Sequence, residues 1–154
     1  MASRTHAPVA ADLTQAFHTL KLDTRGPGLV MITDKVGAWL SAIGAADGLL
    51  TLFIRHTSAS LLIQENADPD VHIDLVNALE RLAPKDIPYV HDIEGPDDMP
   101  AHIKSALTAT SLSIPVHAGR MVLGTWQGIY VAEHRDQPHR REIVAHYLGT
   151  REES

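Results

Sequence analysis

Leu49-Leu50-Thr51-Leu52-Phe53-Ile54-Arg55-His56-Thr57-Ser58-Ala59-Ser60-Leu61-Leu62-Ile63 alternates from its first residue. Leu50, Leu52 and Ile54 share one face, and His56, Ser58 and Ser60 continue it in phase. A period of two belongs to a strand with one side in a core. The stretch predicts one long strand, or two with a kink. Upstream, Asp47-Gly48 is a turn signal. Before it, Asp34 offers an N-cap for a helix through Val36, Trp39, Leu40 and Ile43, stopped at Gly44. Leu29 to Thr33 reads as a short strand behind the Gly26-Pro27-Gly28 turn, and Ala16 to Thr24 alternates as another. Residues 1–14 read as a loose arm.

Downstream, Asp68-Pro69 opens a helix with an apolar stripe of Val71, Leu75, Leu79 and Leu82, closed by Pro84. Residues 84–100 are rich in Pro and Asp and form a long loop, the kind that carries function in a small domain. Pro100 begins a helix with Ile103, Ala106 and Leu107 as its inner stripe. Strands follow at Ser111 to Val116, Met121 to Glu133 and Arg141 to Leu148. Short turns between neighbouring strands favour antiparallel pairing. The expected class is α+β: an antiparallel, β-rich sheet or sandwich with two to three covering helices, in a single domain over 15–154.

A chain of 154 residues fits one domain. Its net charge of −6 argues against nucleic acid, whose phosphates select clustered cations. No Cys is present, which removes disulfides, thiolate metal sites and Cys nucleophiles. No apolar run approaches the length of a membrane helix, and Met1 to Gln15 lacks the apolar centre of a signal peptide. The expected location is cytoplasmic. Ten His stand out, and any transition metal would be held by imidazole and carboxylate.

Three histidines are candidates, each with a plainer reading. His56 ends an apolar face, where a hydrogen-bonded core histidine is the plainer case. His91 lies in Tyr89-Val90-His91-Asp92 of the long loop, where a solvated ring is the plainer case. His102 sits in the first turn of a helix, where the positive helix end favours the neutral, cation-binding ring and an exposed surface histidine is the plainer case. No His-x3-His pair lies on one helix, so a metal site must converge from separate elements. His134, His139 and His146, with Arg135, Arg140 and Arg141, read as a solvated face. Asp97 and Asp98 precede the helix that carries His102, and one of them is expected to cap it. Glu65 and Glu133 each end a strand. Gln127, in Gly124-Thr125-Trp126-Gln127-Gly128, needs a partner if buried, and its flanking glycines suit close approach by a ligand or another subunit. No phosphate loop, dinucleotide fingerprint or nucleophile elbow is present.

The stretches His56 to Asn66 with Asp68-Pro69-Asp70-Val71, then Tyr89 and His91, then Asp97 to Lys104, then Leu123 to Tyr130 ending at Glu133, resemble the YjbQ family, also called UPF0047. The resemblance implies a homotrimer with an antiparallel β-rich α+β fold. A weak thiamine-phosphate synthase activity is attributed to some members, and some are described as binding a divalent metal through histidines. Carried over, it makes His56, His91 and His102 the metal ligands, with Glu65 and Glu133 as neighbouring acids. Neutral imidazoles with a carboxylate suit zinc. For a phosphorylated small-molecule substrate, Lys104 is the expected cation. Thr57, Ser58 and Ser60 are the expected phosphate donors, and Gln127 a further substrate contact. The competing reading is a non-enzymatic trimer that holds a metabolite or metal in an inter-subunit cleft.

Overall fold

The structure, a computed structural model, describes residues 12–152. Most of the expected arm lies outside the described residues. The elements in order are β1 (Thr14–Asp23), β2 (Gly28–Met31), α1 (Thr33–Ala42), β3 (Ala45–Ile54), β4 (Ala59–Glu65), α2 (Pro69–Leu82), α3 (Asp98–Leu107), β5 (Ser111–His117), β6 (Arg120–Met121), β7 (Gln127–Glu133) and β8 (Arg140–Arg151). They form a five-stranded sheet in the order β1-β8-β3-β5-β6 and a three-stranded sheet in the order β2-β7-β4. Every strand pairing is antiparallel. The fold is α+β, as the alternation of strands and short turns implies.

The long alternating stretch divides between the two sheets. Its first half is β3, its second half β4, and Arg55–Ser58 is the link between them. Leu50, Leu52 and Ile54 of β3 are buried, as their shared face requires. They pack in one core with Leu61 of β4, Ile129 and Val131 of β7, Ile143 and Tyr147 of β8, and Val36 and Leu40 of α1. Burying each such aliphatic side chain is worth roughly 1.5–3 kcal/mol, which makes this shared core the main bond between the sheets.

Five expectations are corrected. Asp47-Gly48 is not a turn: it lies inside β3, where the register with β8 shifts between Ala45 and Gly48. Glycine is needed there for backbone approach, since a Cβ on Gly48 would stand 2.4 Å from the Leu148 carbonyl oxygen. The single strand expected over Met121 to Glu133 is two strands in different sheets. Between them the Gln127 side chain turns back and accepts the Gly124 N–H at 2.8 Å. Asp34 does not cap α1: the cap position is Ile32, without a side-chain bond, and Asp34 lies in the first turn. In α2, by contrast, Asp68 does cap, accepting the Asp70 N–H at 2.9 Å just before Pro69. Leu82 of the α2 stripe is exposed, and no α2 residue is fully buried.

The fifth correction concerns α3. It begins at Asp98 and buries Asp98, Pro100, Ala101, Lys104 and Ser105, while Ala106 and Leu107 face outward. A polar face can turn inward only if each group finds a partner. Asp98 meets Arg135, Lys104 meets Glu80, and the Ser105 hydroxyl donates to the Ala59 carbonyl at 2.8 Å. This inversion carries Asp98 and His102 to the link between the sheets.

Candidate functional site

Three side chains converge where α3, the loop before it and the Arg55–Ser58 link meet. His91 Nε2 lies 2.6 Å from Asp98 Oδ2, and His102 Nε2 lies 3.1 Å from the same oxygen. The His91 and His102 ring centroids are 5.4 Å apart. One ligand atom from each of the three residues falls within 4.8 Å of the others. Asp98 and His102 are four apart on one helix, so both project from the same face.

The tautomer of His102 follows from its neighbours. Nδ1 lies 3.0 Å from the Thr57 carbonyl oxygen, which can only accept, so Nδ1 carries the hydrogen. In the neutral ring Nε2 then presents a lone pair to a carboxylate oxygen that is also an acceptor. Two acceptors at 3.1 Å need a cation between them, either a second proton or a metal.

Asp98 is itself held. Arg135 Nη1 lies 2.8 Å from Oδ1, which leaves Oδ2 to the histidines. The same guanidinium reaches Asp97 Oδ2 through Nε at 2.9 Å and the Glu94 carbonyl through Nη2 at 3.1 Å. Burial pushes the Asp98 carboxyl up, but the His91 hydrogen bond and the Arg135 charge outweigh it and hold the group below the usual carboxylate range. Asp98 is therefore a charged, fixed acceptor at neutral pH. Two imidazoles and one carboxylate suit a zinc-class cation with a position left for water or substrate. The Nδ1–H to carbonyl bond of His102 is the support such ligands commonly have.

The other expected site residues are elsewhere. His56 sits on the link, with Nε2 accepting the Glu142 amide N–H at 2.8 Å, and is not part of the cluster. Glu133 is fully buried: Arg141 Nε donates to it at 2.8 Å, Thr24 at 2.5 Å, and the His134 amide at 2.9 Å. Its carboxylate is saturated by a structural network. Lys104 is 3% exposed and bound to Glu80. Ser60 is buried between His134, at 2.9 Å, and Thr108. The Gln127 side chain is exposed and serves the loop bond to Gly124. Glu65 ends β4 half-buried, and its carbonyl accepts the Tyr130 hydroxyl at 2.9 Å. Thr57 and Ser58 lie on the link, lining a cleft of about 580 Å³ with Arg55, His56 and Arg141.

Asp98 and Arg135 are the site residues that the sequence reading missed as such. The Asp98-x-x-x-His102 spacing was the available signal for the first. Arg135 carries none, since it reaches Asp98 across the fold. His134 and Arg141, expected on a solvated face, are buried at 4% and 3% exposure.

The chain matches the family model described as UPF0047 protein YjbQ-like over residues 18–150. It belongs to the YjbQ/UPF0047 family. The UPF0047 protein of Synechocystis is 50% identical over 141 residues, covering 91% of this chain and 96% of that one. The YjbQ protein of Escherichia coli O157:H7 is 45% identical over 132 residues, covering 85% and 96%. Among solved structures, a conserved hypothetical protein from Thermus thermophilus is 41% identical with a TM-score of 0.74, over 82% of this chain and 97% of that one. A YjbQ/UPF0047 protein from Clostridium acetobutylicum is 36% identical with a TM-score of 0.74, over 86% and 98%. The YjbQ family assignment and the α+β fold thus agree. No helix among the described residues is long and apolar enough to cross a membrane.

Proposed function

We propose that this YjbQ-family chain is a metal-dependent enzyme acting on a small molecule, with His91, Asp98 and His102 holding a divalent cation of the zinc class. The observation that carries the reading is the Nε2 of His102, aimed at Asp98 Oδ2 while Nδ1–H is fixed on the Thr57 carbonyl. A bound cation of this class would supply Lewis acidity and an activated water. The chain's own residues prepare its place. Arg135 orients Asp98, and Thr57 sets the face of the His102 ring. The cleft beside Thr57 has the volume of a small-molecule site.

Within this reading, thiamine-phosphate synthase-type transfer is the reaction to assay first, on the strength of the resemblance. Lys104 is committed to Glu80, so charge on a pyrophosphate leaving group falls to the cation and to the cleft arginines. The proposal includes a homotrimer. Phe17, Leu49, Phe53 and Leu148 share the outer face of the five-stranded sheet, each between 42% and 69% exposed. An apolar face of that kind is characteristic of an interface.

The test is metal content by mass spectrometry, with release of pyrophosphate as the activity readout. One zinc per chain is expected, lost in His102→Ala and in Asp98→Asn together with turnover. A protein that retains no divalent metal after equilibration with zinc, or variants with full metal content, would overturn the reading.

A further inference from the structure

A second polar group stands on the Arg55–Ser58 link, outside the metal cluster. His56 Nε2 lies 2.8 Å from the Glu142 amide nitrogen. An amide N–H only donates, so Nε2 is the acceptor and the ring hydrogen belongs on Nδ1. Burial and the Arg141 charge both lower the pKa of this imidazole, which keeps it neutral. Nδ1 faces Arg141 Nη1 at 3.4 Å. Both atoms are donors, and the separation is beyond a good hydrogen bond in any case. Nε and Nη2 of Arg141 are taken by Glu133 and Ser58, but Nη1 has no other partner among the described residues.

Two N–H donors, one on half-buried His56 and one on buried Arg141, therefore face each other where both residues line the cleft. Donors that line a cleft without a protein acceptor are free to bind an anion that enters it. The surroundings suit an anion. The Ser58 hydroxyl accepts Arg141 Nη2 at 3.0 Å and keeps its own hydrogen to donate. Thr57 and Arg55 line the same cleft. Among the described residues the Arg55 side chain is engaged only by Glu142 at 3.6 Å, an exposed contact that costs little to open.

We propose that this cleft binds a tetrahedral oxyanion of the phosphate class, with one oxygen accepting from both His56 Nδ1–H and Arg141 Nη1–H. It names the substrate class for the enzyme reading, since the Thr57 carbonyl holds His102, but its evidence is independent of any metal. The substrate carries its phosphate on the link and presents its remainder toward the His91–Asp98–His102 cluster.

The experiment titrates the full chain with inorganic phosphate, sulfate and acetate, followed by calorimetry and by imidazole nitrogen NMR. EDTA is present throughout, so loss of the metal reading leaves the result intact. Phosphate and sulfate are expected to bind and acetate not, with the His56 signal showing the Nδ1–H form and shifting on phosphate addition. Arg55→Ala and His56→Phe should each weaken phosphate about tenfold, the loss of one charge-assisted hydrogen bond. Arg141 is left intact because it holds Glu133. Absence of phosphate binding, unchanged affinity in both variants, acetate binding as tightly as phosphate, or a His56 ring protonated on Nε2 would each overturn the proposal.

Discussion

Replacing Arg141 by Met should destabilise this protein severely, by a mechanism specific to one carboxylate. Glu133 is 2% exposed, and Arg141 donates to both its oxygens. Thr24 and the amides of His134 and Arg135 supply the remaining hydrogen bonds. With Arg141 gone, those neutral donors remain, but the only cation bonded to Glu133 among the described residues is lost. Breaking a buried pair in this way costs about 3–5 kcal/mol. For a domain of this size that lowers Tm by roughly 6–20 °C. Burial alone would raise the Glu133 pKa, and Arg141 and Thr24 together hold it below its ordinary value. In the wild type the carboxylate therefore adds stability above its unfolded-state pKa, lost as pH falls through the folded one. In Arg141→Met the carboxyl rises and takes up a proton on acidification, so the deficit relative to wild type should shrink toward low pH. Urea unfolding at several pH values reads both effects, and the double variant Glu133→Gln with Arg141→Met should recover much of the loss. A deficit below about 1 kcal/mol, the scale of an exposed pair, would refute the reasoning.

Two further outcomes follow from groups already described. Burial, with the Lys104 charge behind it, lowers the His134 pKa to about 4. The unfolded chain protonates first, so stability should fall by about 3 kcal/mol between pH 7 and 4. His134→Gln should lack that part of the acid limb, and an acid limb identical to wild type would remove the argument. Sedimentation equilibrium at micromolar protein should give the mass of three chains, and a stable monomer would defeat the trimer.

Local chemistry makes some elements legible and long-range pairing hides the rest. Asp68 and Pro69 announce α2 because a cap acts on its own neighbours. The break between β3 and β4 is one of two readings of the stretch, and the sequence does not decide it because His56, Thr57 and Ser58 keep the alternation of a continuous strand. The face of α3 misleads for a physical reason: apolar residues mark an inward face only when polar ones lack partners. Glu80, Arg135 and the Ala59 carbonyl lie far from α3 in sequence, and they make its polar side the buried one. His91 and His102 are identifiable from residue type and family resemblance. Asp98 reads as a cap, and the Arg135 that orients it reads in sequence as solvated charge.

The pairing of β1 with β8, from Thr14 opposite Gly149 to Asp23 opposite Arg140, joins segments from opposite halves of the chain. β8 also separates β1 from β3, so the larger sheet has no continuous hydrogen-bonded surface until this late strand is inserted. During synthesis β1 must wait, edge exposed, for nearly every other element to leave the ribosome. Such a topology favours slow assembly, because the non-local pairing must close before its contacts reward it.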